Sequence, residues 1–92
     1  MSKAPDLMFT VHKLITLGGD GPLKAFVDVT INNAITIKGF RVVEGAKGLF
    51  VGMPRLGAKN GKWFDCVALK TLDAKQRLDE AVLVAYRNES QS

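Results

Sequence analysis

Two residue types that carry much of the covalent and metal chemistry of proteins are nearly missing here. Among 92 residues there is one cysteine, Cys66, and one histidine, His12. A lone cysteine closes no internal disulfide, so the core must hold the fold unaided, and the lack of pairs fits a reducing cytoplasm. Lying in an apolar run, Cys66 reads as a small buried hydrophobe rather than a nucleophile. One histidine and one cysteine fall short of a structural zinc site. His12 has no evident carboxylate or nucleophile partner on its strand. The acids are scattered, and the adjacent pair Asp79-Glu80 falls on a helical stretch, where neighbours in sequence do not face each other. The glycine-rich "GGDG" and "GAKG" lack the Lys-Ser/Thr and the strand-loop-helix setting of a phosphate loop. Apolar runs are short as well: none approaches the roughly 18 residues of a membrane-spanning helix. Met1–Asp6 has neither the basic region nor the apolar core of a leader. The expectation is a soluble, cytoplasmic, non-enzymatic protein with no catalytic residue, metal or cofactor, built as a single domain over residues 1–92.

Acid is scarce in one place above all. Residues 38–62 hold six basic side chains (Lys38, Arg41, Lys47, Arg55, Lys59, Lys62) against Glu44 alone. The net charge of +4 therefore comes wholly from this segment, and the rest of the chain is close to neutral. A local basic surface suits an anionic partner such as nucleic acid. With 47% hydrophobic residues and 24% charged, the chain is too apolar to be disordered.

Periodicity supplies the elements. Residues 7–17 alternate, with Leu7, Phe9, Val11, Ile15 and Leu17 on one face and Lys13 out of place among them. "GGDGP" at 18–22 is a turn. Residues 23–32 alternate strictly, with Leu23, Ala25, Val27, Val29 and Ile31 inward and Lys24, Phe26 and Asp28 outward. Asn32-Asn33 stands where a hairpin turn is needed. The strand over 34–43 begins with Ile35 and Ile37 inward and ends with Phe40 and Val42 inward, so its phase flips at Gly39. A glycine at a phase flip marks a β-bulge, which places Lys38 and Arg41 on one face. A turn at 44–48 leads to a strand at 49–53, a basic loop at 54–62 and a last strand at 63–69. From Asp73 the period becomes helical, with Asp73 and Gln76 spaced as a capping box and Leu78, Ala81, Val82, Ala85 and Tyr86 on one side. Residues 88–92 are expected to fray. Lys75 and Arg77 oppose the helix dipole at its start, which hints at a role beyond helix stability. The fold class is thus α+β: about five antiparallel strands, then one C-terminal amphipathic helix covering one sheet face. The other face, carrying Met8, Leu14, Phe26 and Phe64, keeps apolar surface that a second copy can cover, so a homodimer is expected.

The loop at 54–62 carries Arg55, Lys59 and Lys62 and no acid. Arginine offers a planar fork to two phosphate oxygens, lysine a mobile point charge, and Gly57 and Gly61 allow close backbone approach. Trp63, just beyond, can stack on a base if exposed; packing beneath the helix is its other reading. Lys38 and Arg41 are candidate flanking contacts.

The run Arg41-Val42-Val43-Glu44-Gly45-x-x-Gly48-Leu49-Phe50-Val51-x-Met53-Pro54 closely resembles a motif of the stage V sporulation protein G (SpoVG) family, R-V-[IV]-E-G-x-x-G-L-F-V-x-M-P. The resemblance extends upstream through Lys24-Ala25, Thr30 and Asn33, and downstream through Asn60-Gly61, Asp65, Asp73 and "EAVLVAY" at 80–86. It implies a small cytoplasmic nucleic-acid-binding regulator, associated with septum formation and sporulation, that binds DNA or RNA and dimerises through sheet edges. Family members usually follow Met-Pro with serine and adjacent basic residues. Here Arg55-Leu56-Gly57 follows, with Lys59 and Lys62 later in the loop, and Ala68-Leu69 replaces a frequent His-Pro. The alternative from another class is a protein-interaction adaptor in cell division, in which nucleic-acid binding is incidental.

Overall fold

The computed structural model describes residues 7–91; Met1–Asp6, read above as free of a leader, and Ser92 lie outside the described residues. The chain forms β1 (Phe9–Thr16), β2 (Leu23–Ile31), β3 (Ile35–Gly45), β4 (Gly48–Gly52), β5 (Arg55–Gly57), β6 (Trp63–Asp65) and α1 (Leu72–Gln91). Strands β1 to β4 make one antiparallel sheet in sequence order, the outcome expected of short connections. Asn32 and Asn33 turn the β2–β3 hairpin with φ of 53° and 54°, the left-handed geometry that a two-residue turn of this hand requires.

Alternation on β2 carries into the core. Ala25, Val27 and Val29 are fully buried, together with Phe40 and Val42 of β3 and Leu78 and Val82 of α1; Val51 of β4 completes the cluster. Phe40 and Val42 reach it only because of the bulge. Val27 pairs with Phe40 and Val29 with Ile37, so Lys38 and Gly39 together oppose Asp28. Gly39 holds φ at 101°, a conformation that side chains disfavour.

The structure corrects five expectations. On β1 the register shifts between Val11 and Lys13, so His12 is a bulge residue. Leu14, not Ile15, then packs on the core, and Ile15 is left exposed; the misplaced Lys13 was the trace of this bulge. The last strand does not join the sheet. Only Trp63–Asp65 is extended, and it pairs with β5 in a separate two-stranded hairpin. Its neighbour Cys66 is exposed rather than buried. At the helix start the cap is Thr71: the Ala74 amide donates to Thr71 Oγ1 (3.1 Å), while Asp73 lies inside the first turn. Finally, α1 continues to Gln91, through residues expected to fray.

The cations near the helix start have local partners. Asp73 pairs with Arg77 (3.1 Å) and Lys75 with Asp79 (2.6 Å), both one turn apart. These pairs account for both side chains without a further role. Thr71→Ala should destabilise the protein by about 1 kcal/mol, the usual cost of losing a cap. Asp73→Ala should cost about 0.5 kcal/mol, the low end for an exposed ion pair and a favourable charge at the helix start taken together. Urea denaturation of the two variants distinguishes the cap assignments.

Candidate functional site

Packing on α1 commits one sheet face, and the phase of each strand decides what is left on the other. Phe26 on β2 and Arg41 on β3 are direct cross-strand partners on that outer face. Lys38 joins them because the bulge lets residues three apart point the same way. The chain then leaves β4 at Met53-Pro54 and folds back over this face. A β-carbon built on Gly39 would lie 3.6 Å from Pro54 Cβ, so the buried Pro54 rests directly on the bulge. The hairpin β5–β6 is closed at its base by the Cys66 amide donating to the Pro54 carbonyl (2.7 Å). At its tip the Ala58 amide donates to the Lys62 carbonyl (2.8 Å).

A cleft of about 400 Å³ lies between sheet and hairpin. Lys38, Arg41 and Arg55 bring three cations to its wall, and Phe26 and Trp63 two aromatic rings. No acid lines it. Arg41 is held in place: its Nη2 donates to the Met53 carbonyl (3.2 Å), and its guanidinium lies over Gly52, where a β-carbon would stand 2.8 Å from Cζ. Arg55 shares its Nε with Asp65 Oδ1 (3.3 Å) across the hairpin, an exposed pair of little strength. Trp63 lays its six-membered ring over Gly57, where a β-carbon would meet Cη2 and Cζ3 at 3.3 Å. Gly57 therefore makes room for an indole, whereas the sequence had suggested backbone approach to a phosphate.

Of the residues singled out from sequence, Lys38, Arg41, Arg55 and Trp63 come together in this cleft. Lys59 and Lys62 do not line it; both are exposed near the hairpin tip. Trp63 is 66% exposed and so is not core beneath the helix. Sequence reasoning put Phe26 on the outward face without naming it as a site residue, and it gave Pro54 no role. The signal for Phe26 was its phase, since it alternates with Lys24 and Asp28 on the outward side of a strand whose inward side is complete. Among the described residues no three His, Cys, Asp or Glu side chains converge as a metal site would require, and no helix is long and apolar enough to cross a membrane.

A meander sheet with one helix on one face and a hairpin folded over the other defines a small α+β fold whose distinctive feature is a cationic, aromatic cleft. The chain belongs to the SpoVG family, whose family model matches residues 8–88. It is similar to proteins named "Putative septation protein SpoVG" from Symbiobacterium thermophilum, 44% identical over 87% of this chain and 57% of that protein, and from Archaeoglobus fulgidus, 38% identical over 77% of this chain and 84% of that protein. The relative of the same name from Heliobacterium modesticaldum is 40% identical over 74% of this chain and 76% of its own length. The matched part thus spans little more than half of the Symbiobacterium protein.

Proposed function

We propose that this protein is a nucleic-acid-binding regulator, taking DNA or RNA, that acts on gene expression and septation. In this reading Lys38, Arg41 and Arg55 hold phosphates at the cleft, and Lys59 and Lys62 extend the contact along the hairpin. The supporting observation is the convergence of three cations from two separate stretches of chain, Lys38 and Arg41 on β3 and Arg55 on β5, on one cleft without a lining acid. Charges scattered for solubility alone have no reason to converge. Septation enters through the names of the relatives. The proposed assembly is a homodimer through sheet edges; β1 and β4 each have a free edge in the four-stranded sheet, and light scattering checks the mass.

Titration of labelled duplex DNA, single-stranded DNA and RNA at low and physiological salt tests the reading. Binding should weaken steeply with salt as phosphate counterions are released. Absence of binding to all three at both salts would refute it. A second reading, the interaction adaptor, draws on exposed apolar side chains: Phe50 at 50%, Phe64 at 56% and Leu56 at 66%. An adaptor would tolerate loss of the cleft cations and fail when Phe50 or Phe64 becomes serine; a nucleic-acid binder would do the reverse.

Asp65 gives a test of opposite sign. It withholds Arg55 and sets a negative charge beside the cleft. Asp65→Asn should tighten binding about two- to fivefold at low salt, the scale of one exposed ion pair. Fluorescence anisotropy reads the change, and weaker binding would count against Arg55 as a phosphate contact.

A further inference from the structure

Phosphate contact alone does not account for the aromatic part of the cleft. Trp63 and Phe26 come from different sheets, remain 66% and 41% exposed, and line the same space as Lys38, Arg41 and Arg55. A large exposed indole on a short hairpin is a standing cost in water unless something flat covers it. Here the indole is seated on Gly57, so it is a prepared surface rather than a loose side chain. The cleft volume of about 400 Å³ falls in the lower part of the range, roughly 300–1,000 Å³, typical of sites for small ligands.

We propose that the cleft takes one unstacked nucleotide of a single-stranded nucleic acid, its base against Trp63 and Phe26 and its phosphates on Lys38, Arg41 and Arg55. The inference rests on the nucleic-acid reading above and adds to it a strand preference. In a duplex the base faces are covered by neighbouring pairs, so the aromatic rings have nothing to stack on. A double helix can only lay its backbone across the cleft mouth, meeting the cations and leaving the rings in water. A single strand satisfies both halves of the site, because every base has a π-face and every nucleotide a phosphate. Specificity for sequence is then weak at this position, since stacking tolerates all bases. Asp28 stands opposite the bulge but does not line the cleft; the carboxylate that a phosphate must displace is Asp65, held by Arg55 in an exposed pair at 3.3 Å.

Trp63 is the only tryptophan in the chain, so intrinsic fluorescence reports on this ring alone. The full chain is titrated with an oligothymidylate of about twelve nucleotides, within the footprint of known single-strand binders, with the same strand as a duplex, with thymidine monophosphate and with inorganic polyphosphate. The single strand should quench Trp63 and bind about tenfold more tightly than the duplex at equal salt. Trp63→Ala, followed by anisotropy of a labelled strand, should weaken single-strand binding roughly 5- to 150-fold, the range for loss of one stacked base. Its duplex binding should stay within twofold, and Trp63→Phe should restore most of the loss. Equal affinity for both forms, unchanged in Trp63→Ala, would overturn the base site and leave the phosphate contact standing. Quenching by the mononucleotide at the same concentration as the oligomer would overturn it in favour of a free nucleotide ligand. Quenching by polyphosphate alone would show that the ring senses charge and not a base, again overturning the proposal. Failure of every nucleic acid to bind would overturn the base site and the proposed function together.

Discussion

Replacing Lys38, Arg41 and Arg55 together by alanine should weaken duplex DNA binding by about 500-fold at roughly 0.1 M salt. Each phosphate neutralised on a duplex contributes about 0.9 to the slope of log K against log salt. Three lost contacts therefore lower the slope by about 2.7 and affinity by the same number of decades per tenfold in salt, measured down from 1 M, where the electrostatic contribution vanishes. On a single strand the coefficient is nearer 0.7, so the loss is about 100-fold. The fold should survive. Lys38 and Arg55 are exposed, and Arg41 contributes one hydrogen bond to the Met53 carbonyl, worth about 1 kcal/mol. Lys13→Ala/Lys47→Ala/Lys70→Ala is the charge-matched control, removing three exposed lysines elsewhere. Its effect should be about threefold, a general loss of attraction screened beyond roughly 10 Å. Equal losses in both variants would mean that net charge, not the cleft, governs binding.

The cleft was partly legible in the sequence, and the reason lies in Gly39. A phase flip at a glycine within an otherwise regular strand is a local signal, and it placed Lys38 and Arg41 on one face before any tertiary contact was known. The strict alternation of β2 and the Asn32-Asn33 turn were equally local. What brings Arg55 and Trp63 to the same place is not local. Pro54 resting on the bulge and the hairpin turned back over the outer face depend on a contact between residues 39 and 54, which no short-range period encodes. For the same reason 63–69 reads as a fifth sheet strand: extended character is visible in sequence, the choice of partner is not. Lys59 and Lys62 show the converse error. They lie close to Arg55 along the chain, yet β5 and the turn after it carry them to the hairpin tip, away from the cleft. At the helix start two polar groups, Thr71 and Asp73, competed, and Thr71 became the cap because its hydroxyl lies three residues before a free amide, that of Ala74. Asp73 serves from inside the turn instead.

Fold and site meet at the bulge, so damage to the core behind it should be severe. Phe40 is 1% exposed and sits between Val27, Val42 and the buried face of α1. It points inward only because Lys38 and Gly39 together occupy one position opposite β2. Phe40→Ala removes a whole ring from a filled space, and such truncations cost about 3–5 kcal/mol because the transfer term and the cavity term add. A chain of this size has about 5–15 kcal/mol in all, so the variant should stand near the unfolding threshold. Its thermal midpoint should fall by roughly 12–40 °C, at about 4–8 °C for each kcal/mol. Phe50→Ala, an aromatic truncation on the adjacent strand at a half-exposed position, should cost only about 1 kcal/mol, half the worth of a fully buried ring. Calorimetry on the two variants separates burial from aromatic content. Since Phe40 directly follows the bulge that aims Lys38 and Arg41, nucleic-acid binding by Phe40→Ala should disappear with the folded fraction as temperature rises. Binding retained by an unfolded Phe40→Ala chain would mean that charge content alone, without the cleft, suffices.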